Sequence, residues 1–317
     1  MLINYRKKYS DKEFSRKVGN QLKTNYKSRE DILINTVSTI LALVILFFTV
    51  YPIYYVVVNS LNEGLDAAQK SIYFWPRKFT LENYKIVFQD STIYWSFLIT
   101  ILRTVVGTVA SVVCLAMAAY ALTKRNLVFR KFYMVFGIIT LYFSASAVQS
   151  YLLYKELHLL DNFLVYILPN IYQFYYIILF IAFFNSLPQS LSESAKMDGA
   201  GEIKTLFKVI LPISKPVIAT ICLFLGVWHW NDWFHPAFFV NSEKLMTLPA
   251  VLMRSMSLAE AQQTLQKFTS IGAGQQSVTM ESVRYAMLIV AVIPVTIIYP
   301  FIQKYFIAGM TLGAVKE

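Results

Sequence analysis

Residues 31–63 read DILINTVSTILALVILFFTVYPIYYVVVNSLNE, and no Asp, Glu, Lys or Arg occurs between Asp31 and Glu63. As a helix, the apolar core Ile32–Val58 extends about 40 Å, more than the ~30 Å hydrocarbon thickness of a bilayer. Six stretches of 16 or more residues carry at most one charge each. The second lies between Asp90 and Lys124, interrupted only by Arg103, and the third is Phe132–Tyr154. The fourth lies between Asp161 and Glu193, with its core at Phe163–Asn185. The fifth, Pro216–Asn231, is the shortest; starting earlier, or placing Trp230 and Trp233 at the interface, lengthens it enough. The sixth is Tyr285–Gln303.

Composition agrees. Of 317 residues, 56% are apolar and 15% charged, against about 45–50% and about 25% in soluble domains. A disordered, collagenous or disulfide-framework chain is excluded, and a soluble enzyme is disfavoured. The expected fold class is all-α: a polytopic membrane protein with six transmembrane helices. Lys and Arg set its orientation. They number 19 in the regions on the side of the termini and 9 on the other, with Arg103 inside a span. Both termini are therefore expected in the cytoplasm. The expected parts are a basic N-terminal segment 1–31, a membrane domain 32–306 and a cytoplasmic tail 307–317. The domain has a cytoplasmic loop at 187–216 and a long outer loop at 232–284.

The net charge of +11 lies beside the apolar runs, which points to lipid and not to nucleic acid. Cys114 and Cys222 both fall inside apolar runs and read as small hydrophobes. The first 31 residues are not a cleavable signal. Phe14, Val18 and Leu22 recur at i, i+4 and i+8 among basic residues, so this stretch is either a helix on the inner leaflet or a basic tail.

Within the spans, Gly107, Ser111, Cys114, Ala118 and Ala121 place small residues on one helix face, a surface for close helix approach. Arg103 either snorkels to the outer interface or pairs within the bundle. Gln149, Asn170 and Gln173 lie at membrane depth, accompanied by Tyr142. They are candidates for the path of a hydroxyl-rich solute; the competing reading is interhelical hydrogen bonding. No Walker A sequence or Gly-x-Ser-x-Gly elbow is present, and no carboxylate or cysteine accompanies the three histidines at metal-ligand spacing. No cofactor or metal is expected on this chain.

The most informative segment runs Leu187-Pro-Gln-Ser-Leu-Ser-Glu193-Ser194-Ala195-Lys-Met-Asp198-Gly199-Ala200-Gly201. Ser190 or Ser192 is expected to cap a short helix with Glu193 in its first turn. Asp198-Gly199 signals a turn. A second helix should follow, with Ile203, Leu206, Phe207 and Ile210 on one face, stopped or kinked at Pro212.

This segment resembles the EAA loop in permease subunits of binding-protein-dependent ABC importers, in the carbohydrate, maltose-type branch. The pattern Glu-Ala-Ala, three residues, Gly, nine residues, Ile-x-Leu-Pro is met by Glu193, Ser194, Ala195, Gly199, Val209, Leu211 and Pro212, with Ser194 for Ala and Val209 for Ile. Tyr51-Pro52, Phe79-Thr80-Leu81-Glu82-Asn83-Tyr84 and the stretch Phe301–Gly309 fit as well. The resemblance implies import of a sugar or oligosaccharide in a bacterial cytoplasmic membrane. It implies a second permease, two ATPase subunits that hold the ATP and Mg, and an extracytoplasmic sugar-binding protein. Glu193, Ser194, Ala195, Asp198, Gly199, Ala200 and Gly201 would couple the chain to an ATPase without being catalytic. The long outer loop would meet the binding protein through Gly272, Gly274 and Gln275, at an amide-rich tip. Two rivals are an integral-membrane enzyme acting on lipid-linked sugar and a secondary transporter. The first needs paired acids or histidines near the interface; the second needs charged or repeated features at the midplane.

Overall fold

A computed structural model describes residues 29–143, 145–257 and 279–314. The N-terminal helix reading at Phe14, Val18 and Leu22, and the tip residues Gly272, Gly274 and Gln275, lie outside the described residues. The chain divides into two compact units, one ending at Tyr55 and one beginning at Val56. Among the described residues the structure is all-helical, with one isolated bridge between Asn62 and Phe79.

Helix α1 (Arg29–Ser60) is unbroken despite Pro52 inside it. The hydroxyls of Thr36, Thr39 and Thr49 each donate to the carbonyl four residues back, so these polar groups are satisfied without water. In the second unit, short helices α2 (Gly64–Gln69) and α3 (Glu82–Gln89) precede the long helix α4 (Ser91–Thr123). Asn83 is the tie point: its amide donates to the carbonyls of Ser60 and Asn62, both at 2.9 Å, and its oxygen accepts from Ser282 Oγ at 2.9 Å. That gives the Phe79–Tyr84 segment a structural purpose. Asp90 caps α4, accepting from the Thr92 amide at 2.8 Å.

The expected third span is two helices, α5 (Arg130–Thr140) and α6 (Ala147–Glu156). The second helix has its own N-terminus, a capping box between Ser146 and Gln149. The expected fourth span is also composite. Two 3-10 turns, Phe163–Tyr166 and Leu168–Asn170, precede α7 (Phe174–Ser186) at a bend of 53°. The loop helices α8 (Ser190–Met197) and α9 (Glu202–Ile213) follow. Helix α10 (Lys215–Asn231) coincides with the expected fifth span. Part of the long outer loop is structured: α11 (Phe234–Phe239), a 3-10 turn Glu243–Leu245 and α12 (248–257). Helix α13 (Met280–Ala314) starts before the expected Tyr285 and runs past residue 307 into the expected tail.

By length and composition, three helices can cross a membrane, or five if each bent pair is one span. Helix α4 organises the second unit. Leu115, Ala116 and Ala119 pack with Ile177 and Phe180 of α7, Leu206 and Ile210 of α9, and Ile221 and Leu225 of α10. The expected small-residue face follows this stripe only in part. Gly107 and Ser111 are buried, Cys114 and Ala118 half-buried, and Ala121 exposed. At Gly107 the neighbour belongs to the same chain: an added Cβ would lie 2.6 Å from the His229 ring of α10. Both cysteines are free and half-buried.

Candidate functional site

The loop between α7 and α10 begins at Leu187-Pro188. Pro188 and Gln189 carbonyls accept from the amides of Leu191 and Ser192. Helix α8 thus opens on Gln189, whose side chain makes no cap. The expected serine cap is not formed, because both Ser190 and Ser192 already lie inside the helix. Glu193 stands in the first turn, where a carboxylate suits the helix dipole. At the other end, the Ala200 amide donates to the Ala195 carbonyl at 2.9 Å, and the Gly199 amide to Lys196 at 3.0 Å. This pair of bonds is a Schellman ending. It requires a left-handed residue, supplied by Gly199 at φ 74°. Among the described residues, chain neighbours aside, no atom comes within 4 Å of a Cβ built there or at Gly201. The tip is open: Ser194, Asp198, Gly199 and Gly201 are exposed, as is Met197 at 88%, while Ala195 is buried beneath.

Helix α9 corrects two expectations. Its four apolar positions do not share one environment: Leu206 and Ile210 are buried, whereas Ile203 and Phe207 are exposed. Thr205 is buried too, so the inward stripe is rotated away from the expected centre, through a π turn at Leu206–Ile210. Nor does Pro212 end the helix. The 85° bend to α10 falls at Ser214, whose hydroxyl donates to the Ile210 carbonyl at 2.7 Å.

An ion network fixes this loop to the end of α4. Glu202 binds Lys124 Nζ at 2.7 Å and Lys196 Nζ at 2.9 Å, and accepts from the Tyr120 hydroxyl at 2.8 Å. The hydrogen bond from Lys124, then those from Lys196 and Tyr120, hold the Glu202 carboxyl down to about 2. No motif in the sequence marked these residues as partners.

The four solute-path candidates have different surroundings. Gln149 is committed to the α6 capping box, its Oε1 accepting from the Ser146 amide at 2.8 Å. Tyr142 lies in the break before α6 and is 83% exposed. Gln173 precedes α7 without making a side-chain cap. Asn170 joins a polar cluster that sequence reading did not assemble. Its Nδ2 lies 3.1 Å from His235 Nε2, and His235 Nδ1 lies 2.7 Å from Asp232 Oδ2. Asp232 is the hub. It pairs with Arg103 Nη2, its carbonyl accepts from Arg103 Nη1 at 3.0 Å, and its Oδ1 accepts from the Phe234 amide at 3.0 Å.

Arg103 has a side-chain exposure of 0%, so it pairs within the bundle and does not snorkel. Its guanidinium lies 4.6 Å from the Tyr166 ring centre. Tyr166 in turn packs in a buried apolar cluster with Ile99, Val165, Ile167 and Phe239. The available signal was Arg103 itself, since a lone cation in an apolar span demands a counter-charge. Among the described residues, no group of three or more His, Cys, Asp or Glu side chains could hold a metal ion.

The described residues thus form an all-helical protein with three to five candidate membrane spans and an exposed helix–turn–helix loop. The chain belongs to the family described as binding-protein-dependent transport system inner membrane component, whose profile matches residues 110–312. It is thus a multi-pass subunit of the bacterial cytoplasmic membrane that transports and does not catalyse. Protein LplC of Bacillus subtilis (strain 168) is 36% identical over 269 residues, covering 84% of this chain and 90% of that protein. The polygalacturonan/rhamnogalacturonan transport system permease protein YtcP of the same organism is 33% identical over 267 residues, covering 84% and 92%. A chain from the crystal structure of a bacterial ABC transporter involved in the import of the acidic polysaccharide alginate superposes with a TM-score of 0.80 at 30% identity. That match covers 89% of this chain and 100% of the other.

Proposed function

We propose that this chain carries a sugar or oligosaccharide across the membrane as one of two permeases lining a shared path. Two ATPase subunits drive it, and an extracytoplasmic binding protein delivers the cargo. In this reading the chain crosses six times, at α1, α4, α5 with α6, the 3-10 turns with α7, α10 and α13, with both termini in the cytoplasm. The loop at 187–216 is the coupling element. The observation carrying this reading is its geometry: Gly199 ends α8 in a left-handed turn with an exposed tip, while Glu202 ties its base to α4. A push on the tip would therefore reach a long helix packed against α7 and α10. Fragments of acidic polysaccharides stand first among cargoes to test, from the names of YtcP and the alginate importer.

The test is uptake of labelled oligosaccharide together with copurification of the ATPase. Gly199→Val places a β-branched residue at positive φ, at a cost of about 1–3 kcal/mol. With no atom near the added Cβ, that cost stays local. The variant should reach the membrane normally and lose ATPase docking or uptake at least about fivefold. Wild-type docking and uptake would remove the coupling role, and uptake independent of ATP would favour a secondary transporter.

A further inference from the structure

A cavity of about 570 Å³ lies where the ends of α4 and α7, the start of α5 and the loop helices α8 and α9 meet. Four cations line it, Lys124, Arg125, Arg130 and Lys196, against one carboxylate, Glu193. The two lysines are engaged with Glu202. Among the described residues the arginines are not: Arg130 donates there through its Nε alone, to the Leu122 carbonyl at 2.7 Å. That bond orients the guanidinium and leaves its terminal nitrogens without a partner among the described residues, and Arg125 is exposed. Asn185, Gln189 and Ser192 add neutral polar groups to the wall. Counting Glu202, the surroundings keep an excess of two positive charges.

The planar fork of an arginine matches the oxygens of a phosphate. The chain beside the cavity has a second unusual feature. Phe129 holds φ at 58°, a left-handed conformation that is costly for a bulky residue. Its ring is exposed, as are Val128, Phe132 and Tyr133. Apolar groups thus flank the arginines at the ends of membrane helices, where a lipid presents a phosphate next to acyl chain.

We infer that this cavity binds a phosphate-bearing anion, and that in the membrane this is the headgroup of an anionic phospholipid wedged between α8 and the end of α4. Basic pockets at the ends of membrane helices recognise such headgroups. The assignment rests on the proposed topology, which puts these helix ends at the inner leaflet.

The experiment uses the complete importer, purified in detergent, with bound phosphatidylglycerol quantified by native mass spectrometry. Arg125→Gln with Arg130→Gln should lower occupancy at least about tenfold, since each arginine supplies charge-assisted hydrogen bonds. Arg125→Lys with Arg130→Lys should retain more. Equal occupancy in wild type and the glutamine variant overturns the proposal. Displacement of the lipid by glycerol 3-phosphate or inorganic phosphate would assign the site to a soluble phosphate and overturn the lipid assignment. ATPase copurification of the glutamine variant serves as the folding control. Gly199→Val keeps the two ideas separable: Gly199 does not line the cavity, so failure of the coupling role leaves lipid occupancy to be judged independently.

Discussion

Two ion networks engage α4, one at Arg103 within it and one at Lys124 just past its end, about 31 Å apart along its axis. Both bind α4 to the flanks of α10: Arg103 to Asp232 just after it, Lys124 to Glu202 in α9 before it. Their surroundings differ. Arg103 and Asp232 have side-chain exposures of 0% and 9%, whereas Glu202 is 49% exposed. A buried pair is costly to assemble and more costly to break on one side, because the remaining charge has no water. An exposed pair is screened and contributes about 0–1 kcal/mol. The Arg103 cluster therefore acts as a fixed joint, and the Glu202 cluster as one that can open at little expense.

The largest expected effect comes from breaking the joint on one side. Asp232→Ala should destabilise by about 3–5 kcal/mol, seen as a lower melting temperature in detergent and less protein in the membrane. Replacing both partners, Arg103→Met with Asp232→Leu, should restore much of that loss, because no buried charge remains. If the single variant melts like wild type, Arg103 has access to water and the contrast between the two networks collapses.

One turn along α4 from Arg103, Gly107 lets the His229 ring approach. A Cβ there would meet His229 Cε1 and Nε2 at 2.6 Å, closer than real contacts allow. Gly107→Val should cost about 1–3 kcal/mol by overpacking. Adding His229→Ala should relieve it, and a double-mutant cycle in thermal melts checks the coupling. Additive effects would show that the two helices separate without using this contact.

The ease of reading differs between these regions for physical reasons. Long uncharged runs mark α1, α4, α10 and α13, because membrane helices are specified by polarity along the chain. The break between α5 and α6 has no Pro or Gly to mark it, and Ser146 with Gln149 is its one local signal. In the loop at 187–216, the Asp198-Gly199 turn was legible because positive φ selects glycine. The rotated stripe of α9 was not, since Ile203 and Phe207 differ from Leu206 and Ile210 only in what packs against them. Arg103 was legible as a charge that must either snorkel or pair. That Asp232 supplies it depends on residues 129 positions apart meeting in space, which no local pattern encodes.

The smallest effect belongs to the exposed network and sharpens the comparison through pH. Glu202 has its carboxyl lowered from 4.5 to about 2 by Lys124, Lys196 and Tyr120. A depressed carboxylate contributes stability above its unfolded value and loses it as pH falls through its folded value. The contribution is therefore full at neutral pH and declines between about 4.5 and about 2. Because the side chain is half exposed, solvent screening keeps it within about 1 kcal/mol. Glu202→Gln should lower stability by no more than that at pH 7, and high salt should shrink the difference further. Chemical denaturation of wild type and variant at pH 7, 5 and 3.5 measures it, with the gap narrowing at the lowest pH. A gap above about 3 kcal/mol at pH 7 would mean that the Glu202 network is as closed to solvent as the one at Arg103, and the two joints would no longer be different in kind.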